Sequence, residues 1–195
     1  MSALAVQQSI TEQWLRLVSE AEHAAHCRLD HDLESYLVFL LMRYTNQPEM
    51  AGEVLALEYL RSMLAAGARR REGLRDVGDK CLLYSGLFPR RAQRRRVRIS
   101  YFVDLGRGAY HQLAEHVGEG AAITYRRLAT GFVSLMEVLQ QMRELGDPQA
   151  RLTPLDAYEL WSDTASEHAY RSLRAQTDAD AFLVPQATSA AKPRQ

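Results

Sequence analysis

Cysteine, lysine, proline and long apolar runs are all scarce in this chain of 195 residues. The two cysteines, Cys27 and Cys81, are too few for a disulfide framework, which indicates reduced thiols and a cytoplasmic protein. The longest unbroken apolar run, Tyr36 to Met42, has seven residues, whereas a membrane-spanning helix requires about 20. Residues 1–10 contain no basic residue, so we expect neither a signal peptide nor a membrane contact.

Charge is balanced overall but unevenly distributed along the chain. The 24 basic residues match 24 acidic ones, and 22 of the basic residues are arginine. Between Arg69 and Arg98 eleven basic residues face three acidic ones, while the segments before and after this window are both net acidic. The middle of the chain is therefore predicted to present a positive patch flanked by acidic helices.

The hydrophobic pattern is typical of helices throughout. Apolar residues recur at the three-and-four spacing of a helix face, and no pair of segments alternates with period two. We therefore expect an all-α protein, a single-domain bundle of about seven helices over residues 1–185. Residues 186–195 lack large apolar side chains and are predicted to be disordered.

Four of these helices have recognisable features. Leu128, Phe132, Leu135, Leu139 and Met142 keep near-heptad spacing, which predicts one long helix over residues 121–145. Another helix should begin at the N-cap Thr153 and end near Arg174. Ser100 is the expected N-cap of the fifth helix. In the fourth helix, a glycine inside the apolar stripe, Gly78, predicts close approach of a neighbouring helix.

Patterns that would indicate catalysis or metal binding are weak. Glu20 and His23 have the Glu-x-x-His spacing of carboxylate-bridged metal sites, but their predicted helix face points away from the apolar stripe. There is no nucleotide-binding glycine loop and no nucleophile motif. We therefore expect no catalytic residue, no metal and no cofactor.

The most unusual segment is an arginine-rich connection between the fourth and fifth helices, residues 90–98. Guanidinium groups form bidentate contacts with carboxylates and phosphates, so such a segment favours an acidic ligand. The alternative is a solvated loop that is neutralised by the protein's own acidic helices. The six candidate anion-binding or partner-binding residues are Arg90, Arg91, Arg94, Arg95, Arg96 and Arg98.

The middle of the chain carries a spaced set of glycine, aromatic and small residues: Val77-Gly78-Asp79, Leu82, Ser85-Gly86, Phe88-Pro89, Val97, Tyr101-Phe102, Gly106 and Ala109-Tyr110. This set resembles a family of uncharacterised bacterial helical proteins. The resemblance covers about half of the chain and includes the helix from Phe132 to Met142. It implies a helical fold but no established activity, so no catalytic residue is carried over.

The same region suggests a small polar pocket between the fourth and fifth helices. Buried tyrosine hydroxyls need partners, and nearby aspartates could accept their hydrogen bonds. A satisfied structural network is the alternative to a ligand pocket. The candidate pocket residues are Asp79, Tyr84, Ser85, Tyr101, Asp104 and Tyr110.

These observations lead to three functional hypotheses. The first is a non-enzymatic cytoplasmic interaction or adaptor protein whose arginine connection binds an acidic protein partner. The second is a ligand-binding or enzymatic bundle that uses the pocket between the fourth and fifth helices. The third is nucleic-acid or nucleotide binding through the arginines. A homodimer is a further hypothesis, because long amphipathic helices often expose a stripe that only a partner covers.

Overall fold

The computed structural model describes residues 2–46, 55–89 and 97–177, and every regular element in these ranges is helical. The all-α class is therefore confirmed for the described part of the chain. Nine α-helices occur within these ranges: α1 (Ser2–Ala25), α2 (His31–Asn46), α3 (Leu55–Leu64), α4 (Gly67–Gly86), α5 (Ile99–Ala114), α6 (Glu119–Thr130), α7 (Phe132–Gly146), α8 (Pro154–Thr164) and α9 (Glu167–Gln176). A short 3-10 helix, Pro148–Ala150, follows α7.

The count of about seven is wrong because two segments predicted as single helices are each divided. The first division is at Gly131, between α6 and α7. A Cβ atom on Gly131 would lie 2.9 Å from Leu33 Cδ1, so the glycine lets α2 pack against the bend. The apolar stripe nevertheless continues across it, since Leu128, Phe132 and Leu135 are all fully buried.

The second division is at Ala165, between α8 and α9. Ala165 adopts the left-handed conformation, with φ of 57°, and its N–H donates to Trp161 O at 2.8 Å. The next residue, Ser166, accepts a hydrogen bond from Ala169 N and so caps α9. The predicted cap at Thr153 is confirmed, because its Oγ1 accepts from Asp156 N at 3.2 Å.

Buried apolar residues from all nine helices form one contiguous cluster. Its centre includes the interface of α4 and α5, where a Cβ atom on Gly78 would lie 2.5 Å from Tyr110 Cε1. The predicted close approach at Gly78 is therefore confirmed, and the glycine is required because any side chain would displace the tyrosine ring.

Cys27 and Cys81 are free thiols, and burial raises the pKa of each.

The start of α5 differs from the prediction. Ser100 is not the cap of α5: Arg98 holds that position without a side-chain cap, and Ser100 lies inside the first turn. None of the helices in the described ranges combines the length and apolar character that crossing a bilayer requires. The predicted disordered tail, residues 186–195, lies outside the described residues.

Candidate functional site

The first polar cluster of interest surrounds Asp79, which α4 places in the core with 1 % of its surface exposed. Tyr36 of α2 and Tyr110 of α5 both donate their hydroxyls to Asp79 Oδ1, at 2.6 and 2.7 Å. A guanidinium nitrogen of Arg43 lies 3.1 Å from the other carboxylate oxygen, Oδ2. The carboxylate therefore joins three helices through hydrogen bonds and one ion pair.

The protonation of this cluster is dominated by burial. Burial raises the pKa of Asp79 above its usual value of 3.8, against the opposing effects of the Tyr36 hydroxyl and the Arg43 guanidinium. Burial and the adjacent Asp79 charge also raise the pKa of Tyr36 and Tyr110 well above 10. Both tyrosines consequently remain neutral hydrogen-bond donors at physiological pH.

Aromatic rings enclose the same cluster. The Tyr110 ring stacks on Tyr125 of α6 with centroids 6.2 Å apart, and Tyr36 meets both rings edge-on, at 6.3 and 6.4 Å. These contacts surround the polar atoms of Tyr36 and Tyr110 with packed side chains. The arrangement is that of a satisfied internal network.

The six predicted pocket residues do not all face one space. The structure brings Asp79 and Tyr110 into direct contact. Ser85 is buried and donates its hydroxyl to Cys81 O and Leu82 O of its own helix, at 3.0 and 3.1 Å. The buried ring of Tyr84 packs edge-on against Phe102, with centroids 5.5 Å apart. Tyr101 and Asp104, in contrast, are exposed on the outer side of α5.

Of the six predicted arginines, Arg98 is in the described part of the chain. Its guanidinium lies 3.5 Å from Glu159 Oε1 and 3.4 Å from Asp163 Oδ2, both on α8. The hydroxyl of Ser100 donates to the same Asp163 oxygen at 2.7 Å. The Arg98 side chain is still 59 % exposed. Arg90, Arg91, Arg94, Arg95 and Arg96 lie outside the described residues.

A second polar cluster, at the turn between α8 and α9, was missed by the sequence analysis. Glu137 of α7 is buried, and its Oε1 accepts from the Ser166 hydroxyl at 2.8 Å and from His168 N at 3.3 Å. One internal carboxylate thus fixes the beginning of α9. A detectable signal was present: Ser166 followed by Glu167 is an N-cap and an acidic first turn inside a segment predicted as continuous helix.

Two helical turns further along α7, Glu144 binds the side chain of His168. His168 Nε2 donates to Glu144 Oε1 at 3.1 Å, and Arg143 lies 3.5 Å from the same oxygen. Burial alone would raise the pKa of Glu144. The hydrogen bond and charge of His168, together with Arg143 and Arg151, outweigh burial and lower that pKa below its usual 4.5.

This second cluster borders a cavity of about 230 Å³ where α1, α7 and α9 meet. Its walls carry Glu144 and His168, two arginines, Arg151 and Arg171, and the hydroxyl-bearing Ser172. A larger groove of about 610 Å³ separates the end of α1 from the start of α2 and includes the exposed His23 and His26. Within the described ranges, no three histidine, cysteine or acidic residues are grouped to hold a metal ion.

Comparison with known proteins gives no assignment. No protein-family model matches the chain, and no curated protein or solved structure matches it either. The resemblance to the bacterial helical family therefore rests on its motif residues alone.

Proposed function

We propose that this protein is a non-enzymatic interaction protein whose arginine-rich connection, residues 90–98, binds an acidic protein partner. The observation that carries the proposal is the concentration of six arginines in nine consecutive residues. A cytoplasmic location, one bundle domain over residues 1–185 and a homodimer belong to the same proposal.

The described residues on either side of this connection both contact other helices. Before it, Phe88 packs on Tyr44 of α2, with ring centroids 5.6 Å apart. After it, Arg98 pairs with the carboxylates of α8. The connection is therefore bounded on both sides by residues in contact with α2 or α8.

The pairing of Arg98 supports an acidic ligand. An exposed ion pair contributes only about 0–1 kcal/mol, because water screens both charges. A guanidinium that already binds Glu159 and Asp163 at the surface can exchange them for a partner's carboxylates at small cost. The neighbouring surface of α8 also exposes Leu155 and Tyr158, by 67 % and 46 %. Arginine and tyrosine side chains are enriched at protein interfaces, which favours a protein partner.

The basic window between Arg69 and Arg98 includes a second group of arginines at the beginning of α4. Arg69 and Arg71 are exposed in the first turns of that helix. The 15 residues from Arg71 to Gly86 correspond to about 22 Å of helix, so these arginines are well separated from the end of α4 that precedes the connection. They therefore provide a matched control for the effect of charge alone.

The test compares two triple variants that change the net charge equally. In the first, Arg94, Arg95 and Arg96 are replaced by Glu; in the second, the exposed Arg69, Arg71 and Arg107 are replaced by Glu. Binding is measured by fluorescence anisotropy with labelled poly-L-glutamate and with a labelled single-stranded oligonucleotide of equal charge. Salt is varied from about 0.05 M to about 0.3 M, because screening weakens such contacts.

We expect the first variant to lose poly-L-glutamate binding and the second to retain most of it. Equal weakening by both variants, or no binding of poly-L-glutamate by the wild-type protein, would contradict the proposal. Preference for the oligonucleotide, with a steep salt dependence, would instead favour nucleic-acid binding.

A further inference from the structure

We propose that the cavity between α1, α7 and α9 binds a small organic anion through Arg151 and Arg171. Both arginines line its wall, together with His168, Ser172 and Gln141. None of the described wall residues belongs to the arginine connection, and the proposal does not depend on that connection. Its volume of about 230 Å³ suits a compact metabolite with one or two carboxylate or phosphate groups.

The charge balance of the cavity favours an anion. Its one carboxylate, Glu144, is already matched by His168 at 3.1 Å and Arg143 at 3.5 Å. Within the described ranges, Arg171 donates to two neutral carbonyl groups: Nε to Glu167 O at 3.3 Å, and a terminal nitrogen to Ala25 O. Among the described residues, no carboxylate lies within 4.0 Å of Arg151 or Arg171. Two positive charges at the cavity wall therefore form no ion pair with any described carboxylate.

Arg171 and His168 are also held in place before any ligand arrives. The two carbonyl contacts of Arg171 fix the plane of its guanidinium and leave its second terminal nitrogen for another acceptor. Glu144 orients the His168 ring, and Glu137 fixes the backbone at the start of α9. Such preorganisation lowers the entropy lost when a ligand binds.

Backbone conformation at the same turn is consistent with a functional role. Ala165 is one of two residues other than glycine with positive φ in the described ranges. A left-handed alanine is strained because its Cβ atom crowds the following carbonyl oxygen, and such strain is often found near functional sites. Here it allows α8 to end and α9 to restart at an angle that brings His168 to Glu144.

The experiment is isothermal titration calorimetry of the full chain with three probes. Succinate tests a dicarboxylate, inorganic phosphate tests a phosphate group, and succinamide is the neutral analogue of succinate. We expect succinate or phosphate to bind and succinamide not to bind. Whichever anion binds more tightly identifies the acidic group that the site accepts.

The variants are Arg151→Gln and Arg171→Gln, with Arg174→Gln as the control. Arg174 carries the same charge on the same helix as Arg171, but it is not part of the cavity wall. Loss of one charge-assisted contact should weaken anion binding about tenfold in each of the first two variants, with little change in the third. Arg151 is exposed, so its variant should fold even if Arg171→Gln does not.

Two results would overturn this assignment. One is the absence of heat for both succinate and phosphate with the wild-type protein. The other is equal weakening by Arg151→Gln and Arg174→Gln, which would show that the anion responds only to net charge.

Discussion

Asp79 and Glu144 are two carboxylates that the fold removes from most of the solvent, and they are compensated in different ways. Asp79 accepts hydrogen bonds from two neutral tyrosine hydroxyls and has one cation, Arg43, in contact. Glu144 contacts His168 and Arg143, and it also feels the charge of Arg151. The pKa of Asp79 is raised by burial, whereas that of Glu144 is lowered because the basic groups outweigh burial.

The difference lies in how far the partners offset burial. The two tyrosine hydroxyls and Arg43 only partly offset the desolvation of Asp79, whereas His168, Arg143 and Arg151 outweigh that of Glu144, which is less deeply buried. Around Asp79 the result is a closed network that links α2, α4 and α5. Around Glu144 the positive charges exceed the negative one, and the excess faces a cavity. The first region is therefore suited to stabilising the fold, and the second is suited to binding a ligand.

Replacement of Asp79 should produce the largest effect. Asp79→Ala leaves two buried hydroxyls and the Arg43 guanidinium without their shared acceptor, so we expect a loss of about 3 kcal/mol in the free energy of unfolding. Urea denaturation measures it. Asp104→Ala, on the exposed side of α5, should change stability by less than about 0.5 kcal/mol. A loss at Asp79 as small as that at Asp104 would show that the network contributes little.

The second cluster can be tested through its helix cap. Ser166 caps α9 and also donates to the buried Glu137, whereas Thr153 caps α8 at the surface. Ser166→Ala should therefore cost about 2 kcal/mol, and Thr153→Ala about 1 kcal/mol. The two losses are compared by urea denaturation. Equal losses would mean that the bond to Glu137 adds nothing to the cap.

The contrast between the two regions also determines how much the sequence could predict. Asp79 and Tyr110 were grouped because a buried tyrosine hydroxyl requires a partner that an aspartate can supply, and the structure brings the two side chains into contact. Tyr36, the other hydroxyl donor, was missed. It lies in the fully apolar run from Tyr36 to Met42, which indicates burial but not which helix will face the hydroxyl.

The second cluster depends on a bend that the hydrophobic period conceals. The apolar positions of α6 and α7 keep their spacing through Gly131, and those of α8 and α9 do so through Ala165. Periodicity reports which face is buried, and it does not report whether the axis is continuous. A left-handed alanine is also uncommon, so its residue type gave no warning of the turn. Without that turn, His168 could not be assigned to Glu144.

The smallest effect should be on the pH dependence of stability in the amide variants Asp79→Asn and Glu144→Gln, which should be opposite in sign. Each amide keeps the shape of the carboxyl group and removes only its ionisation. Asp79 has a raised pKa in the folded state, so the folded protein holds its proton more tightly than the unfolded chain does. Its contribution to stability is complete below pH 3.8 and is lost as the pH rises through the folded-state pKa. Glu144 has a lowered pKa, so its contribution is present above pH 4.5 and is lost as the pH falls through the folded-state pKa.

Unfolding free energies of the wild type, Asp79→Asn and Glu144→Gln should be measured from about pH 3 to about pH 7. Relative to Asp79→Asn, the wild type should lose stability as the pH rises through the acidic range. Relative to Glu144→Gln, it should gain stability over the same change. Slopes of the same sign would mean that the partners offset desolvation to the same extent around both carboxylates, and the distinction between the two regions would fail.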